Sequence, residues 1–210
     1  MRDNNRAQDV KQALADITDI RSQMTASKMF RGFGPAILAV TGLLALGIAG
    51  MQSVWPDVFA PSTPYLLGIW IFAAFVSTLL IGLEMIARSR RHHGGLADSM
   101  NNNAIENFLP IGAAGAMIGF VILFNAPDTA WVLPGIWQIL VGVGTFTALK
   151  FLPRRVVFVA AWYFLAGAGV LIVNSADKTI SPWSMGLPFA VGQFLMAGIL
   201  HTALEVNDAK

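Results

Sequence analysis

Trp131–Phe151 reads WVLPGIWQILVGVGTFTALKF. Its only charged residue, Lys150, stands at the C-terminal edge. Alternation of polar and apolar positions is absent, and every side chain before Lys150 is apolar, small or neutral. A helix over this stretch, rising about 1.5 Å per residue, crosses the roughly 30 Å hydrocarbon core of a bilayer.

Five further stretches read the same way: Pro35–Val54, Tyr65–Ala87, Pro110–Asn125, Val156–Val173 and Met185–Leu204. The third is short, and Phe108 and Leu109 extend it. Across all 210 residues, 55% are hydrophobic and only 12% are charged, against roughly 25% charged in a soluble domain. Such a chain has too little polar surface to cover its apolar residues in water. The same figures exclude a disordered chain, a coiled coil and a disulfide scaffold. With no cysteine, thiolate catalysis, Cys-ligated zinc and iron–sulfur clusters are excluded as well. The expected organisation is a polar arm over 1–34, a six-span membrane domain over 35–204 and a tail over 205–210. The first span follows a long polar stretch, unlike a signal peptide.

Charge orients the spans. Arg2, Arg6, Lys11, Arg21, Lys28 and Arg31 precede the first span, Arg88, Arg90 and Arg91 follow the second, and Lys150, Arg154 and Arg155 flank the fourth-to-fifth connection. Lys210 ends the sequence, and Lys178 alone falls in a connection of opposite parity. The positive-inside rule then predicts both termini in the cytoplasm of a bacterium, with the spans in its inner membrane. The opposite connections, Gln52–Pro64, Asn125–Ala130 and Asn174–Ser184, bring Trp55, Tyr65, Trp131 and Trp183 to the span ends, as an interfacial aromatic belt. Asp57, Asp128 and Asp177 in these turns are expected to cap the following helix or to break the turn.

The odd spans open alike, with Phe33-Gly34-Pro35, Phe108-Leu109-Pro110 and Phe151-Leu152-Pro153. A proline fits the first helical turn, where its missing N–H has no partner to lose. The even spans begin Gly68-Ile69-Trp70, Gly135-Ile136-Trp137 and, more weakly, Gly186-Leu187-Pro188. The expected fold is therefore all-α and integral to the membrane: three tandem parallel helical hairpins in a pseudo-threefold bundle, preceded by an amphipathic helix. In Pro134–Gly144 and in Ala161–Gly169 this pattern resembles the HdeD-type short-repeat membrane proteins of bacteria. That resemblance implies a link to acid stress and brings no catalytic residue with it. The chain is also similar to proteobacterial inner-membrane proteins of no assigned role.

Small residues crowd the spans, among them Gly115-Ala-Met-Ile-Gly119, a spacing that lets helix backbones approach within one chain or between copies. No ionisable residue sits at the centre of a span. Glu84, Lys150 and His201 fall at matching distances from the glycines that open the even spans, and form a candidate polar cluster at the cytoplasmic end, with Glu205 four residues beyond His201. The simpler reading is that each snorkels separately to the interface. Gln138, Gln193, Ser77 and Thr145 are the candidate polar lining of the bundle. Arg88, Arg90, Arg91, Arg154 and Arg155 suit anionic lipid headgroups. His92 and His93 lack an acidic or thiolate neighbour, so no metal site is expected and no cofactor is implied.

Residues 5–29 carry apolar positions at helical spacing, with Val10, Leu14, Ile17 and Met24 on one face. Such a helix lies on the membrane surface or binds a cytoplasmic protein. Nothing in the sequence points to direct nucleic-acid binding. The reading that follows is a non-enzymatic membrane protein with an accessory, regulatory or stress-related role, acting through its cytoplasmic face. Two alternatives stand beside it. One is a small transporter or channel for a neutral or weakly polar solute. The other is an enzyme acting on lipid or quinone through His201, Glu205 and Glu84.

Overall fold

The computed structural model describes the backbone of residues 34–91, 96–150 and 152–208, with side chains for 34–87, 108–150 and 152–203. All of these residues belong to one compact unit, Gly32–Lys210. The arm expected over 5–29 lies outside the described residues. Six long helices carry the fold: α1 Pro35–Val54, α2 Thr63–Arg91, α3 Leu96–Asn125, α4 Leu133–Thr147, α5 Val157–Asp177 and α6 Pro182–Asp208. A short helix, Pro56–Phe59, links α1 to α2, and a 3-10 turn, Pro127–Val132, leads into α4. Among the described residues there is no strand.

Six helical segments, the fourth being α4 together with its flanking 3-10 turns over Pro127–Lys150, are long and apolar enough to cross a membrane, which makes the chain a multi-pass membrane protein. The outward-facing residues agree with this. Phe72, Phe75, Leu165, Ile172 and Val173 are exposed, an arrangement that is costly in water and neutral against lipid tails.

The three prolines that open the odd spans have different fates. Pro35 occupies the first turn of α1, and Pro153 precedes the 3-10 turn Arg154–Val156 that enters α5. Pro110 instead lies inside α3, which runs unbroken from Leu96. An internal proline removes one helical bond and crowds the carbonyl four residues earlier, which strains a helix without having to end it. The third span is thus the end of a 30-residue helix that begins well before Pro110. Gln52 is buried in the last turn of α1 and does not begin a loop. Asp57 and Asp128 lie in the first turns of the two short linking segments, neither of which has a side-chain cap, and Asp177 ends α5. The chain then turns at Lys178, whose φ of 53° is left-handed, with its N–H on the Asn174 carbonyl at 2.8 Å.

Packing is uneven around the bundle. The most extensive helix pairs are α1 with α6 and α4 with α5, whereas the partners within each expected hairpin touch more sparingly, and α2 meets α3 least among consecutive spans. Glycines explain the two intimate seams. A Cβ on Gly135 would stand 2.7 Å from the Gly167 carbonyl, and one on Gly167 would meet the Gly135 carbonyl at the same distance. On the other seam, a Cβ on Gly186 would come within 2.5 Å of the Ala49 Cβ and 3.0 Å of the Ala45 carbonyl. Backbones approach this closely only where side chains are missing. A buried apolar cluster, containing Ala45, Ala49, Leu67, Trp70, Leu133 and Met185, fills one end of the bundle.

Gly167→Leu drives a side chain into the α4 backbone. It is expected to cost about 1–3 kcal/mol through overpacking, read as a lower thermal midpoint in detergent. Gly47→Leu, at a site with nothing within 4 Å, should leave the midpoint unchanged or raise it.

Candidate functional site

The polar side chains of the spans converge on α6 where Pro188 interrupts its hydrogen bonding. Proline has no N–H, so the carbonyl of Ser184, four residues earlier, loses its helical donor. In lipid no water replaces that donor. Gln138 of α4 supplies it, donating from Nε2 to the Ser184 carbonyl at 3.1 Å. Two further carbonyls at the break are reached from α5. Trp162 Nε1 donates to the Pro188 carbonyl at 2.8 Å, and the Tyr163 hydroxyl to the Phe189 carbonyl at 3.3 Å.

A chain of longer contacts continues toward α1. Gln193 Nε2 donates to the Tyr163 hydroxyl oxygen at 3.5 Å, and the Thr41 hydroxyl lies 3.4 Å from Gln193 Oε1 while donating to the Leu38 carbonyl at 2.8 Å. Tyr163 is fully enclosed because Gly192 leaves room for its ring: a Cβ there would collide with the phenol. Thr41, Gln193 and Tyr163 therefore tie α1, α6 and α5 together within the membrane-spanning stretches.

Indole donors hold the hairpin pairs. Trp70 Nε1 donates to Gln52 Oε1 at 2.9 Å, joining α2 to α1, and Trp137 Nε1 donates to the Gly115 carbonyl at 3.0 Å, joining α4 to α3. These are the tryptophans of the two Gly-Ile-Trp segments. In α6 Pro188 follows Gly186 at the same spacing, and an indole reaches its carbonyl from α5, that of Trp162. Gln52 uses its amide fully, also donating to the carbonyls of Phe59 and Leu66 at 3.2 Å each. Asn174 donates to the Trp131 carbonyl at 3.3 Å and fastens α5 to the start of the fourth span.

Of the candidate lining residues, Gln138, Ser77 and Thr145 are buried and Gln193 is half-buried. Thr145 donates to the Val141 carbonyl of its own helix. Only Gln138 and Gln193 of this set reach another helix through a side-chain hydrogen bond described here. Gln138 is 5% exposed, and its Oε1 has no donor among the described residues.

The residues of the candidate cluster at the basic end differ in exposure. Lys150 and His201 are exposed at the ends of their spans. Glu84 is half-buried, its carboxyl group against Gly34, where a Cβ would overlap it. A carboxylate beside the first turn of α1 lies at the positive end of that helix dipole. Arg154 and Arg155 are exposed beside the entry to α5, as headgroup contacts require. The side chains of Glu205, Arg88, Arg90 and Arg91 lie outside the described residues. No group of three or more His, Asp or Glu side chains suited to a metal ion occurs among the described residues.

Sequence reasoning missed Thr41, Gln52, Trp162, Tyr163 and Asn174 as parts of this lattice. Pro188 signals only the need of the Ser184 carbonyl that Gln138 meets; these five act on other groups, which no motif in the sequence marks. Gln138→Leu orphans the Ser184 carbonyl and is expected to lower stability by about 1 kcal/mol. Pro188→Ala restores a backbone donor, so the Gln138→Leu penalty should shrink in that background. Denaturation of the four proteins in a double-mutant cycle measures the coupling. Compared with protein-family models, curated proteins and solved structures, the chain matches none.

Proposed function

We propose that the chain is a non-enzymatic protein of a bacterial inner membrane, with an accessory, regulatory or stress-related role exerted through its cytoplasmic face. The observation that carries this reading is the use of the deep polar groups. Thr41, Gln52, Gln138, Tyr163, Asn174 and Gln193 are engaged in tying helix to helix. A solute path needs such groups turned toward a lumen. The likeness of the hairpins to HdeD-type proteins, with their link to acid stress, supports the same reading.

The proposed architecture is three parallel hairpins about a pseudo-threefold axis, with both termini cytoplasmic. In its support, the intimate seams join an even helix to the odd helix of the next hairpin in two places, α4 with α5 and α6 with α1. The sorting of basic residues supports the orientation. Because the chain has no cysteine, introduced thiols report sidedness without background. An impermeant maleimide should label Lys178→Cys in intact spheroplasts and Lys150→Cys only after permeabilisation. Labelling with the opposite sidedness would remove the N-in, C-in orientation.

The role through the cytoplasmic face is tested by deleting residues 1–29. Partners that co-purify with the full chain should be lost, while the truncated protein still inserts and remains monodisperse. Full retention of partners and phenotype would overturn the proposal. One observation favours the second reading, a path for a neutral or weakly polar solute: the buried, unmatched Oε1 of Gln138. Reconstituted liposomes should show no solute flux above empty vesicles. Flux that disappears in Gln138→Leu would establish the second reading in place of the first.

A further inference from the structure

We infer that the α4–α5 connection and the lipid-facing groove beside it seat one anionic phospholipid, with its phosphate on Arg154 and Arg155 and an acyl chain along the groove. The inference requires only that this connection lies at a membrane surface, whichever compartment that surface faces.

The charge of the connection is uncompensated along the chain. Lys150, Arg154 and Arg155 follow one another closely, and the sequence has no Asp or Glu between Asp128 and Asp177. All three cations are exposed. The backbone that carries them is anchored. Ala148, Leu152 and Val156 are buried, and the cations belong to the 3-10 turns Ala148–Lys150 and Arg154–Val156. They therefore stand on a fixed turn and not on a free loop. A guanidinium presents paired donors to two oxygens of one phosphate. Basic pockets between membrane helices recognise anionic headgroups with such cations.

An apolar groove leads from the arginines along the bundle. Gly142 of α4 with Ala160 of α5, and Gly135 with Gly167, mark the α4–α5 seam. One side of this helix pair is covered by α6, which Gln138 and Tyr163 reach. The other side is open to lipid. There Val143 and Phe146, one and four residues after Gly142, are exposed and form one bank. On α5, Ala161 and Ala168 each stand one position beyond a seam residue and are exposed. Phe158, Leu165 and Ile172, spaced seven apart and all exposed, form the second bank. A step of seven residues returns to nearly the same face of a helix. The second bank thus runs about 21 Å from Phe158 to Ile172, more than the roughly 15 Å hydrocarbon depth of one leaflet. Arg154 stands one turn before Phe158 on the same face, so the bank starts at the cations.

The occupant follows from the junction of these two surfaces. A soluble anion satisfies the arginines alone, and an uncharged lipid satisfies the groove alone. An anion that carries a hydrocarbon tail satisfies both. This goes beyond diffuse attraction of basic residues to a charged membrane, because it assigns one lipid to one place on the chain.

Native mass spectrometry and thermal midpoints of the full chain in non-ionic detergent test this, with phosphatidylglycerol as the probe. Retention of one phosphatidylglycerol per chain is expected, with a midpoint that rises as the lipid is added. Arg154→Gln combined with Arg155→Gln should leave the lipid-free midpoint unchanged and weaken binding at least about tenfold. Ala161→Phe fills the groove from an exposed position and should also weaken binding, although both arginines remain. If the lipid-free midpoint of the double variant falls, Ala161→Phe alone decides. Lys178→Gln, at the opposite end of α5, should bind like the unaltered chain. Equal retention of phosphatidylcholine, or undiminished binding in the double variant, would overturn the inference in favour of an unselective lipid coat. Stabilisation by glycerol phosphate equal to that by the lipid, or undiminished binding in Ala161→Phe, would overturn it in favour of a site for a soluble anion.

Discussion

A proline within a membrane helix removes a backbone donor where no water can replace it. At Pro188 that constraint falls on the Ser184 carbonyl, and Gln138 answers it. The carbonyls of Ser184, Pro188 and Phe189 receive Gln138, Trp162 and Tyr163. These donors fix the positions of α4 and α5 against α6, and Gln193 extends the connection to Thr41 on α1. Hydrogen bonds of this kind contribute about 0.6 kcal/mol each on average in a membrane. Their importance lies less in strength than in direction, because each specifies which helix is a neighbour and at which level.

Close packing supplies the adhesion that polar bonds only direct. Hydrophobic burial gives helices no reason to leave lipid, so van der Waals contact between backbones has to do so. Gly135 against Gly167 and Gly186 against Ala49 allow this approach at two seams. Phe120 and Phe124 of α3 are exposed, and α3 meets α2 only sparingly. Side-chain volume at a few positions thus separates the intimate helix pairs from the sparse ones.

The spans were legible in the sequence because hydropathy is a property of each segment alone. The sequence reading of the six segments agrees with the six described helices to within a few residues at most ends. Neighbour relations were less legible because they depend on which face of a helix turns inward, and nearly uniform apolar spans have no amphipathic stripe to mark it. Gln138 and Gln193 stood out as polar, but the sequence left open whether they line a path or bind another helix. Trp162 illustrates the same limit. It reads as one aromatic among many until its bond to the Pro188 carbonyl is known. Gln52 fell within the first span and also at the head of the following connection, and its three partners show why it is buried there.

The pairing of α1 with α6 has a consequence for biogenesis. During synthesis α1 enters the bilayer first of the six spans and its principal partner enters last, so their contact has the longest sequence separation in the bundle. Until α6 leaves the translocon, Thr41 has no Gln193 and the small-residue face around Ala45 and Ala49 meets only lipid. Insertion and assembly are therefore separate events, and the bundle becomes a single cooperative object only when its final span arrives. A nascent chain stalled before α6 would hold inserted helices without its most extensive contact, the form in which membrane quality control would encounter it.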